Sequence, residues 1–220
     1  MNTEKLLYGL LIIHIAGGTI ALLTGLGAML TTKGSKLHRS FGKLYFWSMT
    51  AVFVGAVFNA IGHNLDFLLM VAFFSYYMTV RGYRILFQKK LHIGQKVSPA
   101  DWMITLLSGL FILALIVFGV WALLRGNNMG IVGLAFGIFG SSFLYRDFRN
   151  YLHPPTGKMH WWYGHISSMG GSYISAVTAF VVVNIQLMQF QWLLWILPGI
   201  IGGMLIGKSI RKYKMTFGDV

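Results

Sequence analysis

Long apolar stretches alternate with short polar connections along the whole chain. Seven such stretches lie approximately over residues 6–30, 41–61, 65–86, 102–124, 129–148, 160–185 and 190–206. Each is close to the roughly 20 apolar residues that a helix needs to cross a hydrocarbon core of about 30 Å. Backbone amides inside a bilayer must be hydrogen-bonded within the protein. The pattern therefore predicts an all-α integral membrane protein, a seven-helix bundle forming one domain over residues 1–220.

The basic residues predict the orientation of this bundle. Of the eighteen Lys and Arg residues, only Lys5 and Arg125 fall beside the N-terminus or after an even-numbered stretch. The others lie near the ends of the odd-numbered stretches or in and beside the connections that follow them: Lys33, Lys36, Arg39, Lys43, Arg81, Arg84, Lys89, Lys90, Lys96, Arg146, Arg149, Lys158, Lys208, Arg211, Lys212 and Lys214. Because cytoplasmic loops retain Lys and Arg, the N-terminus is predicted outside and the C-terminus in the cytoplasm.

The composition agrees with a membrane protein. Hydrophobic residues make up 56% of the chain and charged residues 10%, which is too apolar for an ordinary soluble domain. A net charge of +13 would suggest nucleic acid as the partner of a soluble protein. Its alternation between connections instead indicates topology and contact with anionic membrane lipids, and no nucleic acid. The first stretch follows Lys5 without a small-residue cleavage site, so we expect a retained helix and not a signal peptide.

Small residues recur every four positions in three of the predicted helices. Such spacing lets helix backbones approach closely in lipid, where dispersion and backbone contact drive association, and it requires no ligand. The three seams are Gly17, Ala21 and Gly25; Gly133, Gly137 and Ser141; and Gly199, Gly203 and Gly207.

His14 is the most conspicuous polar residue inside an apolar stretch. It lies about 12 Å below the predicted outer end of the first helix, near the bilayer midplane, and shares a face with Ala21 and Gly25. An inward imidazole at this depth indicates a functional site. The alternative is a neutral imidazole that bonds a neighbouring helix. The chain has no cysteine, so histidine is its only strong ligand for soft metals.

A polar seam follows the sixth helix. Ser168, Ser172 and Ser175 recur with helical period on the side of His165, and with Tyr173 they are predicted to line a pocket or a water path. The alternative is that the hydroxyls bond to carbonyls of their own helix, which needs no ligand.

His38 and His160 complete the set of candidate cofactor ligands. His38 lies in the predicted loop after the first helix, from which it could approach His165. His160 and His165 are five residues apart, or about 140° around a helix, so they do not present two nitrogens to one metal as residues four apart do. A shared site would therefore combine histidines of different elements.

The acidic residues are predicted at helix ends or outside the apolar stretches. They are Glu4, Asp66, Asp101, Asp147 and Asp219. Asp147 is expected to form an ion-pair cluster with Arg146 and Arg149 at the end of the fifth helix. Ion-coupled transporters use buried carboxylates, so the absence of one at the midplane argues against that class.

Three short motifs resemble a family of uncharacterised bacterial multi-pass membrane proteins classed as a domain of unknown function. The motifs are His14-x-x-Gly17, His38-Arg39-x-x-Gly42-Lys43-x-Tyr45, and His165-Ile166-x-x-Met169-x-x-Ser172-Tyr173-Ile174-x-Ala176-x-Thr178-Ala179-Phe180. The resemblance extends over the whole chain. It implies that His14, His38 and His165 act together in a bacterial inner membrane, and it supplies no activity.

These features lead to three functional hypotheses. The first is a redox protein in which His14, His38, His160 or His165 ligates haem b or a metal and passes electrons, with a quinone as the candidate partner. His14 and His165 differ in predicted depth by about 10 Å and are not expected to share one iron. The second is a transporter or binder of a small solute lined by the serine seam. The third is an accessory subunit within a homo-oligomer or a larger membrane complex.

Overall fold

The computed structural model describes residues 3–218, which form seven α-helices and no strand. The predicted all-α fold is therefore confirmed. The helices are α1 Thr3–Leu30, α2 Lys36–Gly62, α3 Asp66–Arg84, α4 Pro99–Leu124, α5 Met129–Leu152, α6 His160–Asn184 and α7 Gln191–Phe217. Short 3₁₀ turns lie at Ile85–Phe87, Leu91–Ile93 and Met188–Phe190.

Six of these helices, all except α3, are long and apolar enough to cross a membrane. Many of their large apolar side chains are exposed on the protein surface. Such a surface is unfavourable in water but favourable against lipid tails. The chain thus has the architecture of a multi-pass membrane protein.

Two helix boundaries differ clearly from the prediction. Helix α2 begins at Lys36 and not near residue 41, because Ser35 caps it by accepting a hydrogen bond from the backbone of His38 at 3.1 Å. His38 is therefore helical and not in a loop. Helix α7 continues to Phe217, well beyond the predicted end at residue 206. An apolar pattern marks the part of a helix that suits lipid, whereas the hydrogen-bonded helix continues into its polar flank.

The chain divides into two compact units within α3, between Tyr76 and Tyr77. In the first unit, α1 and α2 form an antiparallel hairpin. The start of α3 joins α2 through the stacked rings of Phe53 and Tyr76, whose centroids lie 4.2 Å apart. The Tyr76 hydroxyl also lies 3.1 Å from the hydroxyl of Thr50.

The second unit contains the hairpins α4–α5 and α6–α7 together with the end of α3. Helices α4 and α5 lie close together at Gly119 and Gly130, where a Cβ on Gly130 would lie 2.5 Å from the Gly119 carbonyl oxygen. The end of α3 runs antiparallel to α6, and Gly82 lies against Met169. Close approach of the backbones thus substitutes for large interlocking side chains.

The small-residue seams of α1 and α5 pack as predicted, and that of α7 does not. Gly17 lies against α2, and Gly137 lies against Ile116 of α4. In α7, a Cβ on Gly199, Gly203 or Gly207 would meet no atom of another described helix within 4 Å. Helix α7 instead contacts α6 through Gly202, which faces Ile174.

Candidate functional site

His14 lies in the middle third of α1 and faces α2, as the helical pattern predicts. Its Nδ1 is 2.9 Å from the carbonyl oxygen of Val52. Gly55 permits this approach, because a Cβ at that position would lie 2.9 Å from the Cβ of His14. A helical carbonyl keeps a second lone pair, so Val52 can accept this bond without breaking α2.

The bond to Val52 selects one tautomer of the neutral His14 ring. A carbonyl only accepts, so Nδ1 carries the hydrogen and the neutral ring keeps a lone pair at Nε2. Within residues 3–218, Nε2 has no hydrogen-bond partner. Metal-ligating histidines commonly donate one N–H to a carbonyl and bind with the other nitrogen. His14 therefore has the donor geometry of a ligand.

His38 closes the turn between α1 and α2. Its Nδ1 lies 2.9 Å from the carbonyl oxygen of Ala28, in the last turn of α1 where carbonyls lack helical partners. The Lys33 ammonium donates to the Met29 carbonyl of the same turn at 2.6 Å. Partial burial lowers the pKa of Lys33 from its ordinary value. Closing the end of α1 is thus a sufficient structural role for His38.

His165 connects α6 to α3 in the second unit. Its Nδ1 lies 2.8 Å from the carbonyl oxygen of Gly82, the same kind of interhelical bond that His14 makes. His160, one and a half turns earlier, has Nδ1 at 3.0 Å from the Gly157 carbonyl and Nε2 at 3.0 Å from the Gln88 carbonyl. Because both its nitrogens face carbonyl oxygens of the protein, His160 directs neither nitrogen to an open position where a metal could bind.

The serine seam of α6 is packed against α3. Ser168 and Ser172 are fully buried at 0% exposure. The Ser172 hydroxyl lies 2.6 Å from that of Thr79, and Ser168 accepts a hydrogen bond from the Arg81 guanidinium. Ser175 donates back to Gly171 of its own helix, whereas Tyr173 is half-buried on the same helix. The buried hydroxyls therefore join helices together.

Sequence reasoning missed the main polar cluster of the second unit. Asp147 of α5 and Arg81 of α3 form an ion pair at 2.6 Å, and their side chains are only 5% and 6% exposed. The Tyr77 hydroxyl donates to the other carboxylate oxygen of Asp147 at 2.7 Å. Together with Ser168 these groups satisfy one another's charges and hydrogen bonds.

The predicted partners of Asp147 were wrong. Asp147 pairs with Arg81, sixty-six positions away in sequence, and not with Arg146 or Arg149. The available sequence signal was that Arg81 and Asp147 each interrupt a predicted apolar helix. Asp147 lies in the last two turns of α5, near the helix end where it was predicted, and its side chain is buried.

A second ion pair lies one turn along α3. Arg84 binds Asp101 at 2.5 Å and the Ser98 hydroxyl at 2.8 Å, so it closes the start of α4. A small cavity lies beside the two ion pairs and is also lined by Gln88, Thr105 and Tyr151. The volume open to the centre of a water molecule is about 10 Å³. That space suits about one water and no organic solute.

Within residues 3–218, no three His, Asp or Glu side chains come together as a group that could hold a metal ion. A ligand set would therefore use fewer side chains from this part of the chain, as the axial ligation of a haem does.

Comparison with protein-family models, with curated proteins and with solved structures finds no match to this chain. The resemblance to the uncharacterised bacterial family thus stays a prediction. Fold and site together define a helical multi-pass membrane protein with a buried ion-pair cluster and interhelical histidines.

Proposed function

We propose that the chain spans the membrane seven times, with its N-terminus outside and its C-terminus in the cytoplasm. In the second unit, contacts bring together the end of α3, the start of α4, the end of α5 and the start of α6. The end of α7 joins the start of α6. This alternation of directions is what seven crossings require, and the joined ends carry most basic residues of the unit, as the positive-inside rule expects.

The function that we propose for this bundle is histidine-ligated electron transfer within the membrane. The observation that carries it is His14, whose Nδ1 is bonded to Val52 while Nε2 has no hydrogen-bond partner within residues 3–218. An unpaired imidazole nitrogen at the depth of hydrocarbon is costly. Ligation of haem b or of a metal ion by Nε2 would remove that cost.

The residues of the first unit fit one axial ligand better than a pair. His14 is itself a residue of α1, whereas the ring of His38 contacts α1 at the carbonyl of Ala28. Positions 14 and 28 are about 21 Å apart along a helix. They cannot bind the same iron. A bound haem would supply one-electron transfer, for which a membrane quinone is a suitable partner. Val52 would hold the His14 ring in its ligating tautomer.

The polar cluster around Asp147 favours this proposal over solute transport. A buried carboxylate could serve ion coupling, but Asp147 already accepts from Arg81 and Tyr77. The adjoining cavity has room for about one water. Both features are typical of a structural ion pair that holds helices together.

The test is an absorption spectrum and an elemental analysis of protein purified gently from its native membrane. We expect a Soret band or a stoichiometric metal in the wild type and its loss in His14→Ala. His14→Asn keeps a donor for Val52 but lacks Nε2, so it should lose the cofactor while remaining folded. The matched control is His63→Ala, at the exposed end of α2, which should retain it. Colourless, metal-free wild type, or full retention in both His14 variants, would overturn the proposal.

A further inference from the structure

The last three turns of α7 form a basic tail that no acidic side chain within residues 3–218 neutralises. Its charged residues, Lys208, Arg211, Lys212 and Lys214, are all exposed. None of the four forms an ion pair within residues 3–218, where the ion pairs are those of Arg81 and Arg84. The tail therefore offers four cations to an external anion.

Aromatic contacts hold this tail against the start of α6. The ring of Trp162 meets those of Tyr213 and Phe217 edge-on, with centroids 5.3 and 5.8 Å apart. The ammonium of Lys214 lies 5.8 Å from the centre of the Tyr163 ring. These contacts order the tail before any ligand binds, which reduces the entropy cost of binding.

Two further groups lie beside the basic tail: a cation and a buried hydrogen-bond donor. The Lys89 ammonium lies 4.3 Å from the ring centre of Trp161, the residue beside Trp162. The indole N–H of Trp162 is buried and has no hydrogen-bond partner within residues 3–218. A buried donor without a partner calls for an acceptor.

The surface next to the basic tail is apolar. Ile201, Met204 and Leu205 of α7 are 56%, 57% and 61% exposed. They lie one to two turns before Lys208, so exposed aliphatic side chains continue directly into exposed cations along one helix. A free phosphate would use only the cations, whereas a phospholipid matches both parts through its acyl chains and its headgroup.

We propose that the end of α7 with the start of α6 is a binding site for an anionic phospholipid of the adjoining leaflet. The headgroup phosphate binds the cations of the basic tail, and the acyl chains lie on Ile201, Met204 and Leu205. The aromatic cluster of Trp162, Tyr213 and Phe217 holds the basic tail of α7 against the start of α6.

The experiment compares lipid retention by native mass spectrometry after exchange from nanodiscs of phosphatidylcholine containing phosphatidylglycerol. The test variant replaces Lys208, Arg211, Lys212 and Lys214 by Gln. The matched control replaces Lys33, Lys36, Arg39 and Lys43 by Gln, which removes the same charge from the first unit. We expect the test variant to lose at least about tenfold in phosphatidylglycerol retention, since each basic residue near a membrane surface contributes on the order of 1 kcal/mol. The control should lose less than the test variant, because the tail adds an ordered aromatic contact and an adjoining aliphatic surface to this general attraction.

A second pair of measurements tests whether the loss of charge, and not a change of fold, accounts for the loss of phosphatidylglycerol. A variant that keeps the charge, with Lys208, Lys212 and Lys214 replaced by Arg and Arg211 replaced by Lys, should preserve phosphatidylglycerol retention. Phosphatidylcholine retention should not change in any variant. The proposal would be overturned if the tail variant and the first-unit control lost phosphatidylglycerol equally. It would also be overturned if the tail variant retained phosphatidylglycerol as well as the wild type.

Discussion

At the level of single residues, the sequence predicted where polar groups are but not which of them pair. His14 was expected to face another helix because it shares a helical face with Ala21 and Gly25, and it does face α2. Asp147 and Arg81 could not be paired from sequence, because the partners belong to different helices far apart in the chain. Local charge spacing instead favoured Arg146 and Arg149, which lie beside Asp147 in sequence.

The Arg81–Asp147 pair makes a prediction about stability. Asp147→Asn leaves the buried Arg81 charge uncompensated, so we expect a loss of about 3 kcal/mol in the free energy of unfolding. Unfolding by SDS in mixed micelles, followed by circular dichroism, measures it. Asp66→Asn is the control, because Asp66 is exposed at the start of α3, and it should cost about 1 kcal/mol or less. An Asp147→Asn protein as stable as this control would contradict a role for the pair in holding α3 to α5.

At the level of elements, the apolar pattern predicted all seven helices but not their ends or all their contacts. Helix ends depend on caps such as Ser35 and on polar flanks such as the end of α7, which hydropathy does not report. A four-residue spacing of glycines indicates that a helix face can pack closely. It does not indicate that another helix lies against that face, as Gly199 demonstrates.

A pair of glycine substitutions tests which helix faces pack. In Gly119→Ala the new Cβ would lie 2.6 Å from the backbone nitrogen of Leu134, so α4 and α5 must separate, at a cost of about 2 kcal/mol in unfolding free energy. In Gly199→Ala the new Cβ meets no atom of another described helix within 4 Å, so stability should be equal or slightly higher, since alanine favours helix. The same unfolding assay decides, and equal destabilisation by the two changes would refute the described packing.

At the level of the whole molecule, the composition and the placement of charged residues indicate a multi-pass membrane protein. Six helices can cross a membrane by length and composition, and the proposed seventh crossing depends on α3, which ends in Arg81 and Arg84. Burying Arg81 against Asp147 and pairing Arg84 with Asp101 allow α3 to carry two cations at its end.

The most direct test of seven crossings uses the absence of cysteine from the sequence. Single substitutions His63→Cys and Asn128→Cys, then Lys96→Cys and Thr156→Cys, are labelled with a membrane-impermeant maleimide in intact cells and in inverted vesicles. The account predicts that positions 63 and 128 react in intact cells and that positions 96 and 156 react only in inverted vesicles. Labelling of positions 63 and 96 from the same side would contradict it, because α3 would then not cross the membrane.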